Sequence, residues 1–184
     1  MLTVVEPTRN QELDDVRALM RTFVAWHRER HVEDIALIDR YFDDAEFEAE
    51  LAGLPGKYAP PEGRLLIAYQ DGQPAGCVAL RDLSDGTCEM KRMFVPTQFR
   101  GMGVGRALAE AIVAAAEVVG YRRMRLDTSH RQAEAMRLYE AVGFQRISPY
   151  YDLPDELRDW LVFFERDLQP QEREGSAGSG LGSD

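Results

Sequence analysis

Three glycines at alternate positions, Gly101, Gly103 and Gly105, stand between a strand-like segment and an Ala-rich segment of helical character. Glycine allows a ligand to approach the backbone closely, and the N–H groups at the start of a helix attract anions. Arg100 and Arg106 flank the glycines and add positive charge that suits phosphate oxygens. The pattern predicts a pyrophosphate-binding loop; the alternative is a loop whose glycines only satisfy turn geometry.

Two segments together resemble a known family. The Gln-x-x-Gly-x-Gly-x-Gly pattern of residues 98–105, after a strand that ends at Val95, resembles the acetyl-CoA signature of the GNAT superfamily of N-acyltransferases. Residues 138–144, Leu-Tyr-Glu-Ala-Val-Gly-Phe, resemble that family's Leu-Tyr-Glu-x-x-Gly-Phe helix end. The motifs occur in the family's order and at about its spacing, and the resemblance covers residues 64–168. It implies an N-acetyltransferase with acetyl-CoA as co-substrate.

The resemblance also implies which residues hold acetyl-CoA. The phosphates are expected to bind backbone N–H groups of Arg100, Gly101, Met102, Gly103, Val104, Gly105 and Arg106. The pantetheine arm is expected to pair like an added strand with the backbone of Met93, Phe94 and Val95, which would polarise the thioester oxygen. The alternative for these three residues is an ordinary ladder strand.

One position departs from the family pattern. Many relatives place an Asn that contacts pantetheine seven residues before the motif tyrosine, and here that position is Gln132. The longer amide could still reach the cofactor. Alternatively, Gln132 could form a capping box with Ser129 at the start of a helix.

Acetyl transfer to an amine needs a proton acceptor for the amine and a proton donor for the leaving thiolate. Glu89, six residues before Val95, is the candidate base, acting directly or through water; the alternatives are a base role for bound water and an ion pair of Glu89 with Lys91 or an arginine. Tyr139 matches the family's tyrosine that faces the sulfur and is the candidate acid. The alternative for Tyr139 is a core aromatic role.

The periodicity predicts an α/β (α+β) fold with a mixed sheet: an antiparallel meander, then a parallel β-α-β crossover, with helices on both faces. Helices are predicted over residues 13–27, 35–54 (with a break near Asp43), 102–119 and 132–142. Strands are predicted over residues 2–5, 64–69, 75–83, 87–95, 121–127, 144–151 and 160–167. Residues 1–168 are expected to form one domain, and the Gly/Ser-rich residues 169–184 a disordered tail.

Composition excludes several classes of function. The net charge of −10 over 184 residues argues against nucleic-acid binding. No apolar stretch reaches the length of a membrane helix, and no His/Cys/Asp spacing suggests a metal. Cys77 and Cys88 are too few for a disulfide framework and are not expected to pair, so a cytoplasmic location is predicted. The expected partners are acetyl-CoA and an amine, with the protein as a monomer or a homodimer.

The charge is unevenly distributed. Residues 1–63 hold 14 Asp/Glu against 7 Lys/Arg, a net of −7, whereas residues 89–131 hold 4 against 8, a net of +4. An anionic cofactor on the basic side and a small cationic amine on the acidic side would fit this asymmetry. A protein or peptide amine remains an alternative acceptor.

Two other classes of function compete with the enzyme. Asp127 lies about 20 residues beyond the glycines, as in a dinucleotide-binding oxidoreductase, but the glycine spacing differs and too little chain follows. A non-catalytic domain that binds or senses acyl-CoA would keep the same loop. Changes at Tyr139 and Glu89 distinguish it, because only an enzyme should lose turnover.

Overall fold

Seven segments form a single mixed sheet in the computed structural model, which describes residues 1–170. The strands are β1 Leu2–Val5, β2 Arg64–Gln70, β3 Gln73–Asp82, β4 Thr87–Phe94, β5 Arg123–Ser129, β6 Gln145–Ile147 and β7 Leu161–Asp167. Their order across the sheet is β1-β2-β3-β4-β5-β7-β6. Only β4 and β5 pair in parallel; every other neighbouring pair is antiparallel. The predicted mixed sheet, a meander followed by a crossover, is confirmed.

Six helices accompany the sheet: α1 Asn10–Arg30, α2 Ile35–Tyr41, α3 Asp44–Ala52, α4 Val104–Val119, α5 Ala133–Ala141 and α6 Asp155–Arg158. Helices α1 to α3 pack against one face, and α4 and α5 against the other, so each face has its own apolar core. Fully buried side chains such as Ile38 and Ile112 anchor these cores, and burial of each such side chain stabilises the fold by roughly 1.5–3 kcal/mol.

The predicted break in the second acidic helix is confirmed. Helix α2 ends at Tyr41, and α3 begins at Asp44. The Asp43 side chain accepts a hydrogen bond from the backbone N–H of Glu46 at 3.0 Å, so it caps the N-terminus of α3.

Two differences from the predicted bounds bear on the site. Helix α4 begins at Val104 rather than at residue 102, because Gly101 and Gly103 have φ angles of +77° and +82°, outside the helical region. Strand β6 ends at Ile147 rather than at residue 151. Tyr150 and Tyr151 instead hydrogen-bond carboxylates of β4 and β5, which takes the chain away from the sheet edge. Residues 171–184 of the predicted tail lie outside the described residues.

Candidate active site

A cavity opens where the two parallel strands separate. β4 and β5 pair only at their first three positions, from Thr87 opposite Arg123 to Glu89 opposite Arg125. Beyond that point the cavity lies between residues 90–93 of β4 and residues 126–129 of β5. The two strands therefore leave a gap in the sheet beyond Glu89, lined by side chains of both.

A bulge in β4 shapes one wall of this cavity. Lys91 lies opposite Ala79 and Phe94 opposite Cys77, so two β4 residues, Arg92 and Met93, face the single residue between Cys77 and Ala79. Arg92 takes a left-handed φ of +57°, which costs a non-glycine residue roughly 1–2 kcal/mol. The bulge places the consecutive side chains of Lys91 and Arg92 on the same face of the sheet, toward α1 to α3.

Buried contacts hold Arg92 in this conformation. Its Nε lies 2.7 Å from Oε2 of Glu50, and both side chains are almost buried, at 12% and 10% exposed. The guanidinium also lies over the rings of Phe42 and Phe47, at 5.2 and 5.3 Å from their centroids. The hydrogen bonds and charge of Arg92 and Lys57 outweigh the effect of burial and lower the pKa of Glu50 to about 2.

A groove runs from the cavity over the glycine loop. Nine of the predicted cofactor residues line it: Met93, Phe94, Val95, Arg100, Gly101, Gly103, Gly105, Arg106 and Gln132. The other two predicted residues, Met102 and Val104, do not line the groove. The Val104 side chain is buried beneath α4, and the Met102 side chain points to solvent. Their predicted role depends only on backbone N–H groups, so it stays a prediction.

The rim of the groove is basic. Arg100 and Arg106 come from the glycine loop, Arg30 from α1, and Arg131 and Arg137 from the region of α5. The Arg100 guanidinium lies over the Trp26 ring at 4.4 Å, which fixes it above the groove. Such guanidinium groups suit a polyphosphate ligand.

Glu89 lies behind the cavity wall rather than on it. Its side chain is 1% exposed, and its Oε1 lies 2.8 Å from Nε of Arg81 and 3.7 Å from Nζ of Lys91. Its other oxygen accepts a hydrogen bond from the Tyr150 hydroxyl at 2.6 Å. The ion pairs that were an alternative to the base role are therefore present, and of the residues that contact the Glu89 carboxylate here, Lys91 lines the cavity.

Asp127 is the carboxylate that lines the cavity itself. Its side chain is 2% exposed. It accepts hydrogen bonds from the hydroxyls of Tyr41 and Tyr151, the second at 2.6 Å. Lys91 Nζ lies 3.9 Å from its Oδ1. Sequence reasoning considered Asp127 only as a ribose-binding acid and missed this position.

Tyr139 also lines the cavity. Its ring packs against Phe144 and Phe164 with centroids 6.0 Å away, so it has the predicted core contacts as well. Burial, with a smaller contribution from the Asp127 charge, raises the pKa of Tyr139 well above its usual value. The phenol is therefore protonated at neutral pH and can donate a proton or a hydrogen bond.

Gln132 lines both the cavity and the groove. It occupies the N-cap of α5, but its side chain makes no capping hydrogen bond, so the predicted capping box with Ser129 is wrong. The amide Nε2 instead lies 3.4 Å from Nε2 of His27. Burial lowers the pKa of His27 to about 4, so this imidazole is neutral at physiological pH.

The remaining reactive groups form no second centre. Cys77 and Cys88 are free, buried thiols whose pKa burial raises to about 12. In the described part of the chain, no three His, Cys, Asp or Glu side chains are grouped so that they could hold a metal ion. Within residues 1–170 no helix has the length and apolar character needed to cross a membrane.

Comparison with known proteins agrees with this geometry. Residues 17–144 match the Acetyltransferase (GNAT) family. An uncharacterized N-acetyltransferase of Schizosaccharomyces pombe is 35% identical over 146 residues, which cover 78% of this chain and 83% of the relative. The IAA acetyltransferase of Azospirillum brasilense is 36% identical over 141 residues, which cover 74% of this chain and 90% of that protein.

A solved structure shares the fold. The PaiA N-acetyltransferase from Thermoplasma acidophilum, in complex with coenzyme A, matches 91% of this chain and 99% of its own with a TM-score of 0.67 at 14% identity. The sequence matches and the shared fold together lead to one conclusion: this chain is an acyltransferase that belongs to the GNAT family of acetyltransferases.

Proposed function

We propose that the protein transfers the acetyl group of acetyl-CoA to a primary amine by direct transfer, with both substrates bound at once. One observation carries the proposal: the basic groove and the cavity meet at Met93 and Gln132, which line both. A thioester at this junction would face the groove with its CoA part and the cavity with its acetyl group. Direct transfer needs this arrangement, because the two reactants must meet without a covalent enzyme intermediate.

The glycine loop and β4 hold the cofactor in this proposal. Backbone N–H groups of residues 100–106, at the N-terminus of α4, bind the diphosphate. The backbone of Met93, Phe94 and Val95 pairs with the pantetheine arm and donates a hydrogen bond to the thioester oxygen. Negative charge develops on that oxygen when the amine attacks, so a fixed donor there lowers the barrier.

Tyr139 and Glu89 handle the protons. The amine nitrogen must lose two protons between its ammonium form and the product amide, while the thiolate must gain one. Tyr139 protonates the thiolate as the carbon–sulfur bond breaks, and one of the two nitrogen protons returns through water to its phenolate. Glu89 accepts a proton from the nitrogen through the Tyr150 hydroxyl or water, and passes it to solvent. Tyr150 suits a relay because its hydroxyl already donates to Glu89.

For the acceptor we propose a small cationic amine. The cavity lies beneath the acidic helices α1 to α3, and a carboxylate, Asp127, lines it. A protein or peptide amine is the alternative acceptor. The two unpaired thiols fit a reducing compartment, so the cytoplasm is the proposed location.

A thiol-release assay with acetyl-CoA and a panel of primary amines tests the function. We expect turnover with at least one small cationic amine, and a lower kcat in Tyr139→Phe and Glu89→Gln. Tyr69→Phe is the matched control, because Tyr69 donates its hydroxyl to Asp15, away from the cavity. Acetyl-CoA binding without thiol release from any amine would favour the non-catalytic alternative, and better turnover of neutral or anionic amines would overturn the cationic acceptor.

A further inference from the structure

Several buried carboxylates in this protein have close guanidinium partners. Four carboxylates whose side chains are at most 10% exposed each have an arginine nitrogen within 2.8 Å. These pairs are Glu12 with Arg9, Glu50 with Arg92, Glu89 with Arg81, and Asp34 with Arg131. The pairing is expected, since an ionised carboxylate removed from water is costly unless a cation compensates it.

Asp127 differs from all four. Its side chain is as buried as that of Glu89, yet its one ion-pair partner among the described residues, Lys91, lies 3.9 Å away. Lys91 is shared with Glu89, at 3.7 Å. The short contacts of Asp127 are with the neutral hydroxyls of Tyr41 and Tyr151. Asp127 is therefore a buried carboxylate that faces a cavity and that, among the described residues, has no ion-pair partner nearer than Lys91.

The surroundings of Asp127 suit an alkylammonium group. The Tyr41 ring lies beside Asp127 and has Trp160 as an edge-on neighbour at 6.0 Å. The Lys91 ammonium lies over the Tyr41 ring at 5.3 Å and 3.1 Å from its hydroxyl. Lys91 thus shows that a primary ammonium on an aliphatic chain is compatible with this environment, where aromatic faces and carboxylates attract it.

We propose that the Asp127 carboxylate binds the ammonium group of the acceptor, with the rings of Tyr41 and Tyr151 at its sides. The inference rests on the proposed function and deepens it, since it makes an alkylammonium compound the substrate class and gives its anchor. Asp127 acts in binding, whereas Glu89, behind the wall, acts in proton transfer. The Lys91 charge opposes the incoming cation and is expected to weaken its binding.

The test uses n-butylammonium chloride as the probe and the full-length protein saturated with coenzyme A. Thermal stabilisation is measured against potassium chloride of equal ionic strength, for wild type, Asp127→Asn, Lys91→Met and the control Asp155→Asn. Asp155 is a matched control because its side chain is 99% exposed. Acetyl-CoA binding is measured by calorimetry on the same samples.

We expect saturable stabilisation of wild type and the control, weaker binding by about tenfold or more in Asp127→Asn, and tighter binding in Lys91→Met. With the best amine of the thiol-release panel, Asp127→Asn should raise KM more than it lowers kcat. If Asp127→Asn does not fold, Lys91→Met decides, because tighter binding supports the carboxylate anchor and weaker binding overturns it.

Two other results would separate failure of the Asp127 anchor from failure of the proposed function. Equal probe binding by Asp127→Asn and wild type, or no probe binding by wild type, would overturn the anchor and leave the proposed function intact as long as acetyl-CoA gives heat. An absence of heat with acetyl-CoA would instead overturn the proposed function.

Discussion

Among single residues, Tyr139 is the proposed general acid, and the side chains around it set the protonation state of its hydroxyl. Phe144 and Phe164 bury the ring, and burial with the nearby Asp127 charge raises its pKa. A phenol in this state is protonated at neutral pH, so it is available to the departing thiolate as a hydrogen-bond or proton donor, and any phenolate that forms is reprotonated readily. Burial raises the pKa of a core tyrosine in the same way, so the observation that favours the acid role is the position of Tyr139 on the cavity.

Replacement of Tyr139 by Phe should therefore lower kcat by about 100-fold, the lower end of general acid catalysis, because the ring is kept and only the proton donor is lost. The KM for acetyl-CoA should change little. Steady-state thiol-release kinetics measure both values. An unchanged kcat would show that the thiolate leaves without help from Tyr139.

His27 offers a pH-dependent test of the same region. It is buried, its Nδ1 has no hydrogen-bond partner within residues 1–170, and its pKa falls to about 4 mainly because burial disfavours the charged form. The unfolded chain binds this proton more tightly than the folded one, so stability is lost as the pH falls from about 6.5 toward 4. Between pH 7 and pH 5 the loss should be roughly 2 kcal/mol.

Urea unfolding at the two pH values measures this loss. His27→Gln should show a smaller decrease in stability between them than wild type, even if it is less stable at both. His130→Gln changes an exposed histidine and should behave like wild type. An equal decrease in wild type and His27→Gln would contradict the assignment.

At the scale of elements, the bulge in β4 and the glycine loop give the site its shape. The bulge turns Lys91 and Arg92 to the same face, and the pairing of β4 with β5 ends at Glu89, just before it. The loop turns at Gly101 and Gly103 so that α4 starts with its N-terminus at the groove. Both features require positive φ angles: contacts of Arg92 hold the one in the bulge, and glycine accommodates those in the loop.

Glu50→Gln should destabilise the fold by about 3 kcal/mol, because it leaves the Arg92 guanidinium buried without its counter-charge. It should also raise the KM for acetyl-CoA, since Arg92 holds the bulge next to Met93. The control is Glu48→Gln on the same helix, whose ion pair with Arg21 is about half exposed on both sides. That change should cost less than about 1 kcal/mol. Chemical denaturation measures the free energy of unfolding of both variants. Equal losses would contradict a structural role for the buried pair of Glu50 and Arg92.

Gly103→Ala should weaken acetyl-CoA binding by about tenfold and destabilise the fold by roughly 1–2 kcal/mol. No atom lies within 4 Å of the added Cβ, so the effect would come from the φ of +82° alone. Gly53→Ala is the control, because Gly53 has a φ of −86° and its Cβ would meet only ordinary contacts. Calorimetry with acetyl-CoA measures the affinity, and normal binding by Gly103→Ala would show that the loop conformation is not required.

At the scale of the whole molecule, local patterns predicted the elements and distant contacts completed the site. The glycine spacing indicated a loop before α4, although not the positive φ angles that delay the helix to Val104, and the change from helical to alternating periodicity indicated the meander. Both signals lie within a few residues of the features they specify. The same is true of the break at Asp43, whose capping bond spans three residues.

No local sequence pattern indicated the hydrogen bonds around the cavity. Tyr150 reaches Glu89 across 61 residues, and Tyr41 reaches Asp127 across 86. Only the sheet order, with β5 between β4 and β7, brings these segments together. A carboxylate such as Asp127 therefore looked like any acid at the end of a strand until the fold placed it in the cavity.

The central claim is that the groove over residues 100–106 binds acetyl-CoA, and isothermal titration calorimetry of the purified protein tests it most directly. We predict saturable heat for one molecule of acetyl-CoA per chain, competition by free coenzyme A, and no heat with NAD. An absence of heat with both acetyl-CoA and coenzyme A would contradict the account, whatever the acceptor.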